Sequence, residues 1–192
     1  MQMRQRPRLF VAAAVFALAG SWAAAQSNRA PEEFTAVAIQ NDNLGSGAGT
    51  VLITVDRWSS DADRTRLVTT LQQKGPEKLL DVLQDMRPVG RIRTPDSLGY
   101  DLHYAHETKG EDGERRIVIA TDRPIGFWEA TRRPRTVDYP FTVIQMEIPR
   151  EGAGKGTLSY ATKIIAKNDM VELENYSTQP IMLNEIQARA RR

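Results

Sequence analysis

Thr50-Val51-Leu52-Ile53-Thr54-Val55-Asp56 alternates: Val51, Ile53 and Val55 fall on one side, Thr50, Thr54 and Asp56 on the other. Successive side chains of a strand point to opposite faces, so this period of two predicts a strand with one well-buried face. The pattern then changes. Ser59 or Ser60 is placed to cap a helix, and Asp61 and Asp63 put negative charge in its first turn, where the helix dipole favours it. Leu67, Val68 and Leu71 follow at helical spacing on one face. Gly75 is a natural terminator, and Pro76 suits the first turn of a second helix, which carries Leu79, Leu80, Leu83 and Met86 on one stripe. Arg87-Pro88 ends it, because proline disfavours helical geometry in the residue before it.

Outward from this strand and helix pair, the chain reads as β. Phe34 to Gln40 is a strand candidate, and Asn41 to Gly49, with its glycines, reads as a loop. Gly99 to Glu107 and Glu114 to Thr121 read as two arms of a hairpin around Lys109 to Gly113. Ile125 to Ala130 reads as a short strand. In Tyr139 to Ile148, Thr142, Ile144, Met146 and Ile148 face one way while Phe141 and Val143 face the other, so part of this strand is apolar on both sides. Gly152 to Gly156 reads as a turn into Leu158 to Ala166, and Val171 to Tyr176 and Ile181 to Ile186 complete the set. Helices near the start followed by many short strands predict an α+β fold: an antiparallel β-sheet with a two-helix pair packed on one face. A β-barrel or sandwich with a helical lid is the alternative.

Residues 1–25 have the three parts of a secretory signal peptide: Arg4, Arg6 and Arg8, an apolar stretch from Leu9 to Gly20, and Ala23-Ala24-Ala25 before a cut ahead of Gln26. A membrane span needs about 20 apolar residues, and Leu9 to Ala25 falls short of that and is broken by Gly20 and Ser21. Export to the periplasm or the cell exterior is therefore the expected address. Residues 26–33 are then a polar, disordered lead-in, 34–188 a single domain and 189–192 a basic tail. Losing Arg4, Arg6 and Arg8 takes 26 basic residues to 23 against 24 acidic ones, so the formal charge goes from +2 to −1. A near-neutral body has no field for nucleic acid, which is bound by neutralising phosphates. With no cysteine, disulfides, thiol chemistry and Cys-based zinc sites are excluded, and burial alone must hold the fold. The 167 residues left of 192 suffice, since a domain near 150 residues buries roughly 70% of its unfolded surface.

No motif points to a cofactor or a metal. Gly45 to Gly49 and Gly152 to Gly156 precede strands, whereas a phosphate cradle needs a following helix. His103 and His106 are the only histidines, and on one regular strand they point to opposite faces, with His103 on the side of Asp101. The strand-end groups Asp56-Arg57-Trp58 and Asp122-Arg123, followed by Trp128, are candidate ligand-binding residues, because Arg and Trp are enriched where partners are held. The plainer alternative has the Asp–Arg pairs tying loops to strand ends and Trp58 and Trp128 filling the gap under the helices.

Asp56-Arg57-Trp58-Ser59, Leu79-Leu80-Asp81-Val82-Leu83, Ala120-Thr121-Asp122-Arg123-Pro124-Ile125, Asp138-Tyr139-Pro140-Phe141 and Leu173-Glu174-Asn175-Tyr176 together resemble a family of small exported bacterial proteins whose activity is unassigned. The resemblance spans nearly all of the chain after the leader. It implies export and a single domain and supplies no site residues. The expected function is a non-catalytic binding or interaction module taking an envelope protein or a small ligand. Two alternatives stand beside it: a carrier of an apolar molecule in a cavity under the helices, and a hydrolase using His103 and Asp101.

Overall fold

In the computed structural model the alternating run Val51 to Val55 is the second half of a longer strand, and it lines the inside of a nearly closed β-barrel. The structure describes residues 29–43, 45–110, 112–125, 138–167, 170–177 and 179–191. Along the chain come β1 (Glu32–Asp42), β2 (Gly45–Val55), α1 (Asp61–Lys74), α2 (Pro76–Asp85), β3 (Gly90–Arg93), β4 (Tyr100–Leu102), β5 (Tyr104–Lys109) and β6 (Arg115–Thr121). β7 (Phe141–Ile148), β8 (Gly154–Lys167), β9 (Met170–Asn175) and β10 (Ile181–Ala190) follow.

All pairings are antiparallel, in the order β4-β3-β2-β1-β10-β8-β7-β6-β5, with β9 added to β8. The two ends of that order, β4 and β5, are consecutive in the chain with His103 alone between them. One kinked strand thus joins both edges, and the sheet curls round on itself. Bulges supply the curvature, because an extra residue on one strand bends it and increases its twist. The extra residues lie on β10, between Asn184 and Gln187 opposite β1 and between Leu183 and Ile186 opposite β8, around Glu185, whose φ is +52°, and on β8 between Ser159 and Thr162 opposite Phe141 and Val143 of β7.

Side chains fill the barrel. Val51, Ile53 and Val55 meet Phe34 and Ala36 from β1, Ile117 and Ile119 from β6, Ile144 and Met146 from β7 and Leu183 from β10, all buried in one cluster. Gly156 allows a close approach of β8 to β7. A Cβ there would lie 2.3 Å from the backbone oxygen of Gln145 on β7, so no larger residue fits without moving a strand.

The helices pack on the outer wall, where Leu67, Leu71, Leu79 and Leu83 form a second cluster with Tyr104, Ala120, Phe141, Val143 and Ile164. The phase of β7 makes this arrangement: Ile144 and Met146 enter the barrel while Phe141 and Val143 face outward under the helices. Of the two serines offered as caps, Ser60 takes the role. Its Oγ accepts from Asp63 N at 3.1 Å and its N donates to Asp63 Oδ2 at 2.9 Å. Ser59 is buried and ties the start of α1 to β5, donating its N to Ala105 O at 2.7 Å and accepting from Ala105 N on Oγ at 3.1 Å. Gly75, at φ +83°, turns the chain between the helices, its N–H on Leu71 O.

Several expectations need correction. The glycine-rich stretch from Gly45 to Gly49 is strand, paired residue for residue with β1 up to Asp42, and Gly154 and Gly156 lie within β8. Local composition favours turns at both places, but a partner strand satisfying the backbone overrides it. β1 begins at Glu32, inside the expected lead-in, and Arg189 pairs with Glu33 in β10 rather than standing in a loose tail. Ile125 is not in a strand, and residues 126–130 lie outside the described residues. The helices flank the wall instead of covering a barrel mouth.

Candidate functional site

Between the helix pair and the outer wall runs an open, mostly apolar groove of about 330 Å³. Its roof is Leu67, Val68 and Leu71 of α1 with Leu79 and Leu83 of α2. Strand register sets its floor in rows: Tyr104, Ala120 and Val143 lie abreast, then His106, Val118 and Gln145, with Thr108 and Arg116 beyond. The first row is buried; in the second, Val118 is 39% exposed; the third is exposed. Ile164 of β8 and Val171 and Leu173 of β9 extend the apolar wall. Arg64 of α1 and Arg116 of β6 line the groove, and among the described residues no Asp or Glu does. Burial pushes the Tyr104 phenol well above its ordinary range, with Arg64 nearby pulling the other way.

The two histidines pin the helix pair to this wall. His106 Nε2 lies 2.8 Å from Asp61 Oδ1 at the start of α1, and its ring stacks on Tyr104 at 6.1 Å. His103 Nδ1 lies 2.8 Å from the Met86 carbonyl at the end of α2. A carboxylate and a carbonyl can only accept, so each of these ring nitrogens carries a proton. Both histidines therefore reach the helices, not opposite faces of one strand. The kink at His103 is the reason: Leu102 points into the barrel and Tyr104 out of it, so the alternation slips there.

Among the described residues, none of the predicted site residues lines this groove. Asp56 pairs with Arg191, and the Arg57 guanidinium donates to the Arg87 carbonyl at 3.2 Å. Trp58 is 4% exposed and belongs to the barrel core, edge-on to Phe34, so it neither presents a surface nor fills space under the helices. Asp122 bonds Arg123 at 3.0 Å and sits 3.5 Å from His103 Nε2. Burial works against its charge, but hydrogen bonds and the positive charge of Arg123, with His103 and Thr121, hold its carboxyl below the usual range. β2 and β6 run in opposite directions round the barrel, yet both groups approach the end of α2: Arg57 reaches the Arg87 carbonyl, and His103, 3.5 Å from Asp122, reaches the Met86 carbonyl. Trp128 lies outside the described residues. The proposed His103–Asp101 pair is not formed either: Asp101 bonds Arg91 at 2.8 Å.

A buried charge network closes the rim where β1 begins. Arg115 donates from Nε and Nη2 to Glu107 Oε2 at 2.9 and 2.7 Å and from Nη2 to Glu32 Oε2 at 2.6 Å. Arg29 also pairs with Glu107, whose side chain is 2% exposed, and lies over the Trp58 ring, whose Nε1 donates to Ala30 O. Among the described residues no group of three or more His, Asp or Glu could hold a metal, and no helix is long and apolar enough to cross a membrane. Compared with protein-family models, with curated proteins and with solved structures, the chain matches none of them.

The stripes Leu67, Val68, Leu71 and Leu79, Leu83 that form the roof are legible in the sequence, as is the doubly apolar β7, whose outward Phe141 and Val143 demand a cover. Nothing in the order of residues announced Arg64, Val118 or Arg116.

Proposed function

We propose that the protein is a non-catalytic binding module, working in the periplasm or outside the cell, that holds an apolar ligand in the groove between its helix pair and its barrel wall. The carrying observation is the groove itself: about 330 Å³ of mostly apolar, open space between two packed layers. Ligand sites are concave, largely apolar and of roughly 300–1,000 Å³. The barrel interior offers no rival, because its side chains pack into one continuous buried cluster. The leader-like residues 1–25 and the resemblance to small exported bacterial proteins support the address.

Binding of N-phenyl-1-naphthylamine, a neutral dye that fluoresces in apolar surroundings, tests the reading. The wild type should enhance its emission. Val118→Trp, at a 39%-exposed position on the groove floor, should abolish most of that gain while circular dichroism and melting temperature stay close to wild type. A wild type that leaves the dye dark, or a variant that binds it equally well, would refute the groove as a ligand site.

A further inference from the structure

We infer that the groove's occupant is a single-chain amphiphile with an anionic head, its tail beneath the helix leucines and its head at Arg64 and Arg116. The inference rests on the groove being a ligand site and adds the chemistry of the ligand. Along the floor the rows grade from Tyr104, Ala120 and Val143, all buried, to Thr108 and Arg116, both exposed. An apolar end running out into a polar one matches a molecule that is greasy at one end and charged at the other.

Lining charge selects the sign. Among the described residues that line the groove, Arg64 and Arg116 carry positive charge and none is a carboxylate. The acids closest to the two arginines already have partners: Asp61 holds His106, Asp63 caps α1 on Ser60, Glu114 holds Arg116, and Glu147, abreast of Arg116 on β7, pairs with Lys155. Glu114 engages only Nε and Nη2 of Arg116, at 3.1 and 2.7 Å, which leaves the Nη1 edge of that guanidinium to donate elsewhere. Arg64 is exposed on α1 and makes no ion pair among the described residues. Two guanidiniums lining an apolar channel repel an ammonium head and offer charge-assisted hydrogen bonds to a carboxylate or phosphate.

Three probes with the same twelve-carbon tail read this out by isothermal calorimetry or displacement of the naphthylamine dye: dodecanoate, dodecanol and dodecyltrimethylammonium. Dodecanoate should bind the wild type at least about tenfold more tightly than the cationic probe, the scale of a hydrogen bond to a charged group. Arg64→Ala with Arg116→Ala should erase that preference and leave dodecanol binding unchanged. Arg64→Lys, which keeps the charge, should restore part of it. Equal binding of all three probes, or a preference that survives the double substitution, overturns the head assignment while the groove stands. If none of the three binds, the groove reading fails and this inference fails with it.

Discussion

Replacing Arg115 by methionine should be among the most damaging single changes that leave the apolar clusters intact. Arg115 makes three hydrogen bonds of 2.6 to 2.9 Å to Glu107 and Glu32, and its guanidinium lies 5.9 Å over the Phe34 ring. Its side chain is 26% exposed and that of Glu107 only 2%. The hydrogen bonds to the two carboxylates keep Arg115 charged, although partial burial opposes it. Methionine keeps much of the stem's packing but strands two carboxylates beside each other, with only Arg29 left to answer Glu107. Removing one partner of a buried ion pair costs about 3–5 kcal/mol, and the partial exposure of Arg115 argues for the lower end, about 3 kcal/mol. With an m-value near 2 kcal/mol per molar urea, the unfolding midpoint should fall by roughly 1.5 M. Glu107→Gln in the same chain should recover part of the loss, because it removes the stranded charge. Arg91→Met is the matched control, since its pair with Asp101 is about half exposed on both sides and is worth at most about 1 kcal/mol. Equal midpoints for Arg115→Met and Arg91→Met in urea titrations followed by circular dichroism would refute the reasoning.

Two further outcomes follow from packing and charge. Gly156→Ala places a Cβ 2.3 Å from Gln145 O, so β7 and β8 must part locally; overpacking of this kind costs about 1–3 kcal/mol, and an unchanged melting temperature would contradict the close approach. The Asp122 carboxyl is held below its usual range in the fold, so the folded state binds fewer protons there than the unfolded one. Its stability contribution is present above the unfolded carboxyl range, near pH 4, and is lost as pH falls through the lower folded value. Asp122→Asn should flatten that part of the acid limb in melts taken from pH 6 to pH 2, and an acid limb identical to wild type would rule the contribution out.

The order of residues settled what depends on neighbours in the chain. Val51, Ile53 and Val55 had to be one face of a strand because side chains alternate, and Ser59 or Ser60 followed by Asp61 and Asp63 marked a helix start, because a serine caps the first turn and negative charge suits it. The stripe Leu79, Leu80, Leu83 and Met86 likewise declared a face to be covered. What stood out of reach came from partners far away in sequence. Gly45 to Gly49 is strand because β1 lies beside it, and the sheet curls because bulges in β8 and β10 accumulate. The slip at His103 turned both histidines toward the helices and left Asp101 to Arg91, so a pairing argued from strict alternation dissolved. Trp58, chosen for its kind, went into the barrel. Arg64 and Arg116, 52 positions apart in the numbering, line one groove only because α1 packs across the outer wall. Local sterics and hydrogen bonding act over a few residues, and sequence carries them directly. Which face meets which is decided by the closing of the whole sheet, and only the folded chain holds that information.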